Sequence, residues 1–289
     1  MIEVLESHQA QVGPYRVRRA LPQRRHRTVG AWCLADHTGP AAIDETSELV
    51  GPHPHMGLQT VTWLLSGQLV HKDSLGSEQV IHPGELNLMT AGHGISHSEE
   101  GTGFRGTLHG IQLWVAMPSA TRDGPAAFEH HDDLPQLELG DATATVLVGT
   151  LGDTRSPARR DTEHVGVDLE LRPGQATVPV KPRHEHALIV LDGAIAVDDA
   201  VVTPGQLAYL GADRDELRLE AHEPTRAMVL GGVPFPEQIS MWWNYVARTH
   251  DEIEEANQDW LDAGQRFGTI DTVMPRISPP PIPWTPPRR

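Results

Sequence analysis

Two short stretches of this 289-residue chain combine histidine and carboxylate side chains at a spacing of two residues. His53 and His55 lie in GPHPHMG, and His97 and Glu99 lie in GISHSE. Residues i and i+2 of a β-strand project from the same face, so each pair points in one direction. If the two strands are neighbours inside a small barrel, three imidazoles and one carboxylate converge. This donor set suits Fe, Mn, Co, Ni, Cu or Zn rather than Ca or Mg, and it leaves positions for water, O₂ or a substrate oxygen.

A second histidine pair, His184 and His186, serves as an internal comparison. It lies much closer to the glycine turn that follows it, at Gly193, than the first pair lies to its own turn. When the two halves are aligned on those turns, Pro179 and Lys181 occupy the places of the first pair, and neither can form the same site. We therefore interpret His184 and His186 as surface or turn residues and expect the second half to lack metal ligands.

The pattern of strands and turns must position these side chains. The 27 glycines and 24 prolines separate short apolar runs, which is typical of a sandwich or barrel of many short strands. WLLSGQLV followed by IHPGELNLM resembles IVLDGAIAV followed by VTPGQLAYL, which predicts two similar β-domains in tandem, residues 1–135 and 136–289. The strand candidates are Thr60–Leu65, Glu85–Met89, His109–Ala116, Ala144–Val148, Gly166–Leu171, Ala187–Leu191 and Arg226–Leu230.

Helix is expected only near the C-terminus. Thr249 followed by Glu252 has the spacing of a capping box, with the apolar residues of the next turns on one face and Gly264 as a left-handed stop. Trp242 and Trp243 just upstream are expected to be packing residues. The tail, PRISPPPIPWTPPRR, is too rich in proline for helix or sheet, so it is either disordered or draped over the surface.

Charge and composition exclude several classes of protein. The formal charge of −16 repels phosphate backbones, and the basic stretch VRRALPQRRHR is more simply a solvated strand and turn that pairs with nearby acids, so no direct nucleic-acid binding is expected. No apolar run reaches the roughly 18 residues of a membrane span, and the first residues do not resemble a secretory signal. Cys33 is the only cysteine, which suits a reducing cytoplasm.

Several motifs in the same order resemble the pirin family, a branch of the cupin superfamily. They are GPHPHMGLQTVTWLLSGQLVHKDSLG, IHPGELNLMTAGHGISHSE and LHGIQLWVAMP, flanked by VGAWCLADHTGP and WWNYVARTHDEIEEANQDW. The resemblance implies an all-β, monomeric bicupin of two jelly-roll barrels with one Fe(II)-type site in the first barrel, although Mn, Ni, Co, Cu or Zn would also fit. The ligands that it implies are His53, His55, His97 and Glu99, the same four residues that the strand spacing selects.

One position departs from the cupin pattern. Cupins generally carry a glutamate a few residues after the histidine pair, and this chain has Gln59 there. An amide cannot take up a proton near neutral pH, so a general base in the site would have to be Glu99. His93 either supports the ligands or faces solvent in a turn.

The resemblance implies two functions that share one site. Some pirins resemble quercetin 2,3-dioxygenases, in which a flavonol hydroxyl would lose its proton to Glu99 before O₂ attacks the ring; the partners are then a small aromatic substrate and O₂. Others resemble metal-dependent regulators that bind a transcription factor or a metabolic enzyme. A third alternative is a metal that only stabilises the barrel. We favour the dioxygenase. The apolar residues that either line a substrate pocket or pack the core are Met56, Leu58, Leu86, Leu88 and Met89.

Overall fold

Short apolar runs between glycine and proline turns form strands along most of the chain, of which the computed structural model describes residues 2–44, 47 and 49–284. The strands of the first half are β1 (Glu3–Glu6), β2 (His8–Val12), β3 (Tyr15–Leu21), β4 (Trp32–Ile43), β5 (Val50–His55), β6 (Leu58–Ser66), β7 (Leu69–Asp73), β8 (Glu78–Ile81), β9 (Leu86–Thr90), β10 (Ile95–Glu100), β11 (Gly106–Ala116) and β12 (Ala127–His131). Strands β2 to β12 form two sheets, ordered β12-β9-β6-β11-β4-β3-β2 and β5-β10-β7-β8. Together these sheets make the N-terminal barrel.

The second half repeats this arrangement. Its strands are β13 (Gln136–Leu139), β14 (Ala142–Val148), β15 (Thr150–Leu151), β16 (Thr154–Arg155), β17 (His164–Leu171), β18 (Gly174–Pro179), β19 (Glu185–Asp192), β20 (Ile195–Val197), β21 (Ala200–Val202), β22 (Gln206–Gly211), β23 (Glu216–Ala221) and β24 (Thr225–Gly232). They form a seven-stranded sheet, β1-β22-β19-β24-β17-β14-β13, a four-stranded sheet, β18-β23-β20-β21, and the β15-β16 hairpin. The two-barrel, all-β fold is thereby confirmed, and each strand predicted above lies within an observed strand or extends one residue beyond it.

The two seven-stranded sheets pack against each other. Their facing side chains, among them Trp63, Leu113, Ile189 and Leu230, belong to one buried apolar cluster. Trp32 crosses this interface, and its Nε1 donates to Val165 O at 3.1 Å. Gly166 makes the approach possible, because a Cβ there would lie 2.9 Å from Trp32. The barrels therefore share a core.

Two terminal segments cross the division predicted at residue 135. β1 pairs with β22, so the first strand of the chain completes the C-terminal barrel. In the opposite direction, the hairpin of β25 (Ser240–Trp242) and β26 (Tyr245–Ala247) and the helix α1 (His250–Leu261) pack beside Met56 of the N-terminal barrel. Within the described ranges, no helix has both the length and the apolar character of a membrane span.

The C-terminal helix differs from its prediction at one end. Thr249 Oγ1 accepts from Glu252 N at 3.2 Å, and Ile253, Ala256 and Trp260 are buried, as the sequence predicts. The left-handed stop is at Ala263 (φ 52°), and not at Gly264, where φ is −64°. The prediction at Gly264 was therefore wrong by one residue.

The tail after α1 lies over the N-terminal barrel. A 3₁₀ helix (Gln265–Phe267) leads into it, and Ile277 N donates to Pro52 O at 2.8 Å while Trp260 Nε1 donates to Ile277 O at 3.0 Å. Gly51 admits this segment, because a Cβ there would lie 2.6 Å from Pro275 O. Of the two alternatives for the tail, the draped one holds as far as residue 284; residues 285–289 lie outside the described part.

His184 and His186 are both buried, so the prediction that they lie on the surface was wrong; His184 does close a turn, its N donating to Lys181 O at 2.9 Å, whereas His186 lies in β19. The exposed fraction is 2% for His184 and 0% for His186, and His184 Nε2 lies 3.2 Å from Glu163 Oε1. The spacing argument placed them outside the first site but carried no information on which face of β19 is enclosed. His186 lies opposite Gly231 and on the same face as Leu188 and Val190, which pack inside the C-terminal barrel.

Candidate metal centre

The two histidine motifs meet because β5 and β10 are antiparallel neighbours. His53 lies opposite His97 in the ladder, and His55 lies opposite Ile95. One ligand nitrogen from each of His53, His55 and His97 lies within 4.8 Å of the other two, and all three side chains are buried. His55 Nε2 lies 3.1 Å from His97 Nε2. The strand spacing thus brings together the three predicted imidazoles.

Hydrogen bonds to carbonyl groups fix the protons on two of the rings. His53 Nδ1 lies 2.8 Å from Gly51 O, and His55 Nδ1 lies 3.2 Å from Asn244 O. A carbonyl oxygen only accepts, so each Nδ1 carries the proton and each Nε2 keeps its lone pair. Burial lowers the pKa of His53 to about 4 and the pKa of His55 well below its usual value, so both rings are neutral. Neutral imidazoles are the form that binds metals.

The third ring is fixed by a chain of side chains that sequence reasoning missed. Asp73 Oδ2 lies 3.0 Å from His71 Nε2, and His71 Nδ1 lies 3.3 Å from His97 Nδ1. Asp73 stays ionised, because hydrogen bonds from His71 and two backbone amides outweigh burial and lower its pKa. His71 therefore donates through Nε2 and accepts through Nδ1, which leaves the lone pair of His97 on Nε2. The signal in the sequence was HKD at residues 71–73, another pair spaced by two.

The trio has the donor chemistry of a metal site. His55 Nε2 and His97 Nε2 face each other with lone pairs and no proton between them, an arrangement that a cation would satisfy. Burial lowers the pKa of His97 well below its usual value, so protonation does not relieve the contact. The residues present fit a divalent transition metal.

Glu99 lies in the wall of the same cavity. The ladder shifts register between His97 and Glu99, so Glu99 is paired with Val50. Within the described ranges, the group whose ligand atoms lie within 4.8 Å of one another is His53, His55 and His97, and it does not extend to Glu99. Burial raises the pKa of Glu99 to about 7, which is suited to a general base near neutral pH. Its roles as ligand and base stay predictions.

The sequence left open the roles of Gln59 and His93, and both side chains lie away from the imidazoles. Gln59 is on the face of β6 opposite to Thr60, and its Nε2 donates to Thr90 Oγ1 at 2.9 Å. His93 is exposed in the turn between β9 and β10, where its carbonyl accepts from Arg266. His93 is therefore a turn residue facing solvent, and Gln59 is part of the sheet packing.

A cavity of about 400 Å³ opens onto the imidazoles, within the size range of small-molecule sites. Trp114 lines it and packs edge-to-face against His55, with 5.2 Å between ring centroids. Trp243 and Ile277 bring the C-terminal hairpin and tail into the wall.

The apolar residues proposed from the sequence as a pocket lining do not line this cavity. They are buried in the core instead: Met56, Leu58, Leu86, Leu88 and Met89. By contrast, apolar side chains fill the C-terminal barrel.

Comparison with known proteins settles the relationship of the chain. The family model for pirin matches residues 14–115, and the model for the pirin C-terminal cupin domain matches residues 166–268. The chain belongs to the pirin family. The resemblance noted from the motifs is confirmed.

Several relatives of this pirin carry the name of one enzyme. It is 43% identical over 275 residues to a putative quercetin 2,3-dioxygenase of Pseudomonas aeruginosa, covering 94% of this chain and 87% of that protein. The crystal structure of a quercetin 2,3-dioxygenase from Acinetobacter baumannii superposes with a TM-score of 0.95 at 40% identity, covering 100% of this chain and 97% of the other. A bacterial pirin from Escherichia coli, solved with nickel(II), shares the fold at 17% identity (TM-score 0.67; 81% and 100% covered).

Proposed function

We propose that this pirin is a metal-dependent dioxygenase that cleaves a flavonol or a similar aromatic compound, with Fe(II) as its metal. The observation that carries the proposal is the cavity of about 400 Å³ whose wall combines three neutral imidazoles with Glu99. Relatives named as quercetin 2,3-dioxygenases support the substrate class. In the proposed reaction both atoms of O₂ enter the flavonol and carbon monoxide leaves.

The side chains have separate tasks in this proposal. His53, His55 and His97 hold the metal, with Glu99 as a fourth ligand or a neighbour of the metal. A bound divalent transition metal would supply Lewis-acid and one-electron redox chemistry. Glu99 takes the proton of the flavonol hydroxyl, which its raised pKa of about 7 makes favourable near neutral pH. Trp114, packed on His55, provides an apolar face for the substrate ring.

Aerobic incubation of the iron-loaded protein with quercetin tests the proposal. We expect loss of quercetin absorbance together with release of carbon monoxide. Glu99→Gln should lower kcat at least about a hundredfold, the range for losing a general base. His53→Ala should retain little iron by elemental analysis. Full iron occupancy without consumption of quercetin would overturn the enzyme assignment.

A further inference from the structure

Four polar side chains form one row across the sheet that lines the cavity. Arg19 on β3 lies opposite Asp36 on β4, Asp36 lies opposite Gln112 on β11, and Gln112 lies opposite Thr62 on β6. Directly opposed residues of antiparallel strands share a face, and all four line the cavity. The sheet thus presents a continuous polar band to the interior of the N-terminal barrel.

The row has no net charge, because its one cation and its one carboxylate are paired with each other. Arg19 Nε and Nη2 donate to the two oxygens of Asp36 at 2.7 and 2.6 Å. The Thr62 hydroxyl donates to Gln112 Oε1 at 2.9 Å, so the amide nitrogen of Gln112 is the group with hydrogens to offer a ligand. The row therefore combines donors with the carboxylate acceptor of Asp36, and the charge of Arg19 is cancelled within it.

The row and the imidazoles are separated by an apolar stretch. Trp114, which packs on His55, is two residues from Gln112 on β11 and thus about 7 Å along the strand. Leu34, directly opposite Trp114 on β4, also lines the cavity. A ligand that extends from the imidazoles to the row meets an apolar surface first and a neutral polar surface second.

We propose that Arg19, Asp36, Gln112 and Thr62 form a recognition subsite for a phenolic hydroxyl at the end of an aromatic ligand remote from the metal. A hydroxyl both donates and accepts, so it can bind the Asp36 carboxylate and the donors of Arg19 or Gln112 together. A ligand carboxylate or phosphate would instead lie beside the negative charge of Asp36, because the positive charge of Arg19 is already paired with Asp36. The inference deepens the proposed function and rests on it for the position of the ring.

Binding of two flavonols without turnover tests the subsite. The protein is loaded with zinc, which is redox-inactive, and is titrated anaerobically with quercetin and with 3-hydroxyflavone, which lacks the additional ring hydroxyls. We expect quercetin to bind about tenfold more tightly, as one hydrogen bond to a charged group provides. A 3-hydroxyflavone that carries a ring carboxylate in place of those hydroxyls should bind more weakly than 3-hydroxyflavone itself.

Two variants assign the preference to the row. Gln112→Leu and Asp36→Asn should each reduce the ratio of the two dissociation constants to about three or less, with the affinity for 3-hydroxyflavone within about twofold of wild type. Gln136→Leu is the matched control, because Gln136 is also bonded to a threonine on the opposed strand, its Nε2 donating to Thr145 Oγ1 at 3.1 Å in the other barrel. It should leave the ratio unchanged. Circular dichroism checks that each variant is folded.

The outcomes separate this inference from the proposed function. A ratio that persists in both row variants, or failure of either flavonol to bind the wild type, overturns the subsite. Binding with the expected ratio but no oxygen-dependent cleavage by the iron-loaded protein retains the subsite and overturns the dioxygenase.

Discussion

At the scale of single residues, the hydrogen-bond chain from Asp73 through His71 to His97 decides which nitrogen of His97 can bind a metal. A carboxylate that orients a histidine in this way is worth about 10- to 100-fold in metal affinity when it supports a ligand. Here the carboxylate acts through a second imidazole, so both His71 and Asp73 are positioning residues.

We expect Asp73→Asn to weaken metal binding by about 10- to 100-fold, because an amide can donate to His71 and reverse its tautomer. Competition with a chelating dye, followed at constant pH, measures the affinity. His93→Ala is the control, since His93 is exposed in a turn of the same barrel. An unchanged affinity in Asp73→Asn would show that His97 does not depend on this chain.

A buried histidine of the other barrel predicts sensitivity to acid. His164 packs edge-to-face against Trp32, and burial, aided by Arg160, lowers its pKa to about 4, although Asp161 acts in the opposite sense. The unfolded chain, with a usual value near 6.5, binds more protons between these two values. Stability from His164 is therefore complete above about pH 6.5 and is lost as the pH falls toward 4.

The free energy of unfolding should fall by roughly 2 kcal/mol between pH 7 and pH 5 because of His164 alone. Urea denaturation at the two pH values measures it, and His164→Gln should show a correspondingly smaller fall. His222→Gln, at an exposed position, should behave like wild type. Equal falls in wild type and His164→Gln would contradict the prediction.

At the scale of elements, the two residues of the capping box predicted for α1 have different roles. Thr249 caps the helix as expected, but the Glu252 carboxylate accepts from Arg248 N at 3.0 Å and pairs with Arg122 of the N-terminal barrel. Thr249→Ala should lower the free energy of unfolding by about 1 kcal/mol. Thr249→Ser, which keeps the oxygen, should restore most of it; equal losses in both variants would show that the cap oxygen does not matter.

Strands and helix could be predicted because their signals are local. The apolar runs around Val61 and Leu113 and the cap at Thr249 need only neighbouring residues to be recognised. The left-handed residue was misplaced by one position, because α1 ends at Leu261 and the residue with positive φ is Ala263 rather than the glycine that follows it.

The candidate site was predictable to the extent that it follows from spacing by two. His53, His55 and His97 satisfied that rule in motifs that meet across one ladder. The polar row could not be predicted from spacing. Its residues, Arg19, Asp36, Thr62 and Gln112, lie on four strands whose order and register arise from long-range pairing. The burial of His186 follows from the pairing of β19 with β24, which puts its side chain on the inner face of the C-terminal barrel, and no local pattern specifies that pairing.

At the scale of the whole molecule, the C-terminal tail closes one side of the metal-binding cavity. Ile277 is both a wall residue and the point at which the tail is hydrogen-bonded to Pro52. Access to the imidazoles therefore depends on a segment that is far from them in sequence.

We expect Ile277→Ala to speed metal loss to an excess of chelator by a few-fold, because it removes apolar contacts from the wall. The rate of metal release, followed with a chromogenic chelator, is the measurement. Val273→Ala is the matched control, since Val273 lies on the same segment with its side chain fully exposed. Identical release from both variants would mean that the tail does not limit access.

The position of the tail has a consequence for biosynthesis. All strands of the sheets that carry the imidazoles have left the ribosome once His131 has emerged, whereas Ile277 follows 146 residues later. Translation at about 5–20 residues per second separates these events by roughly 7 to 30 s. During that interval the metal-binding cavity lacks the part of its wall that the tail supplies, so a metal ion meets a wider entrance in the growing polypeptide than in the released protein.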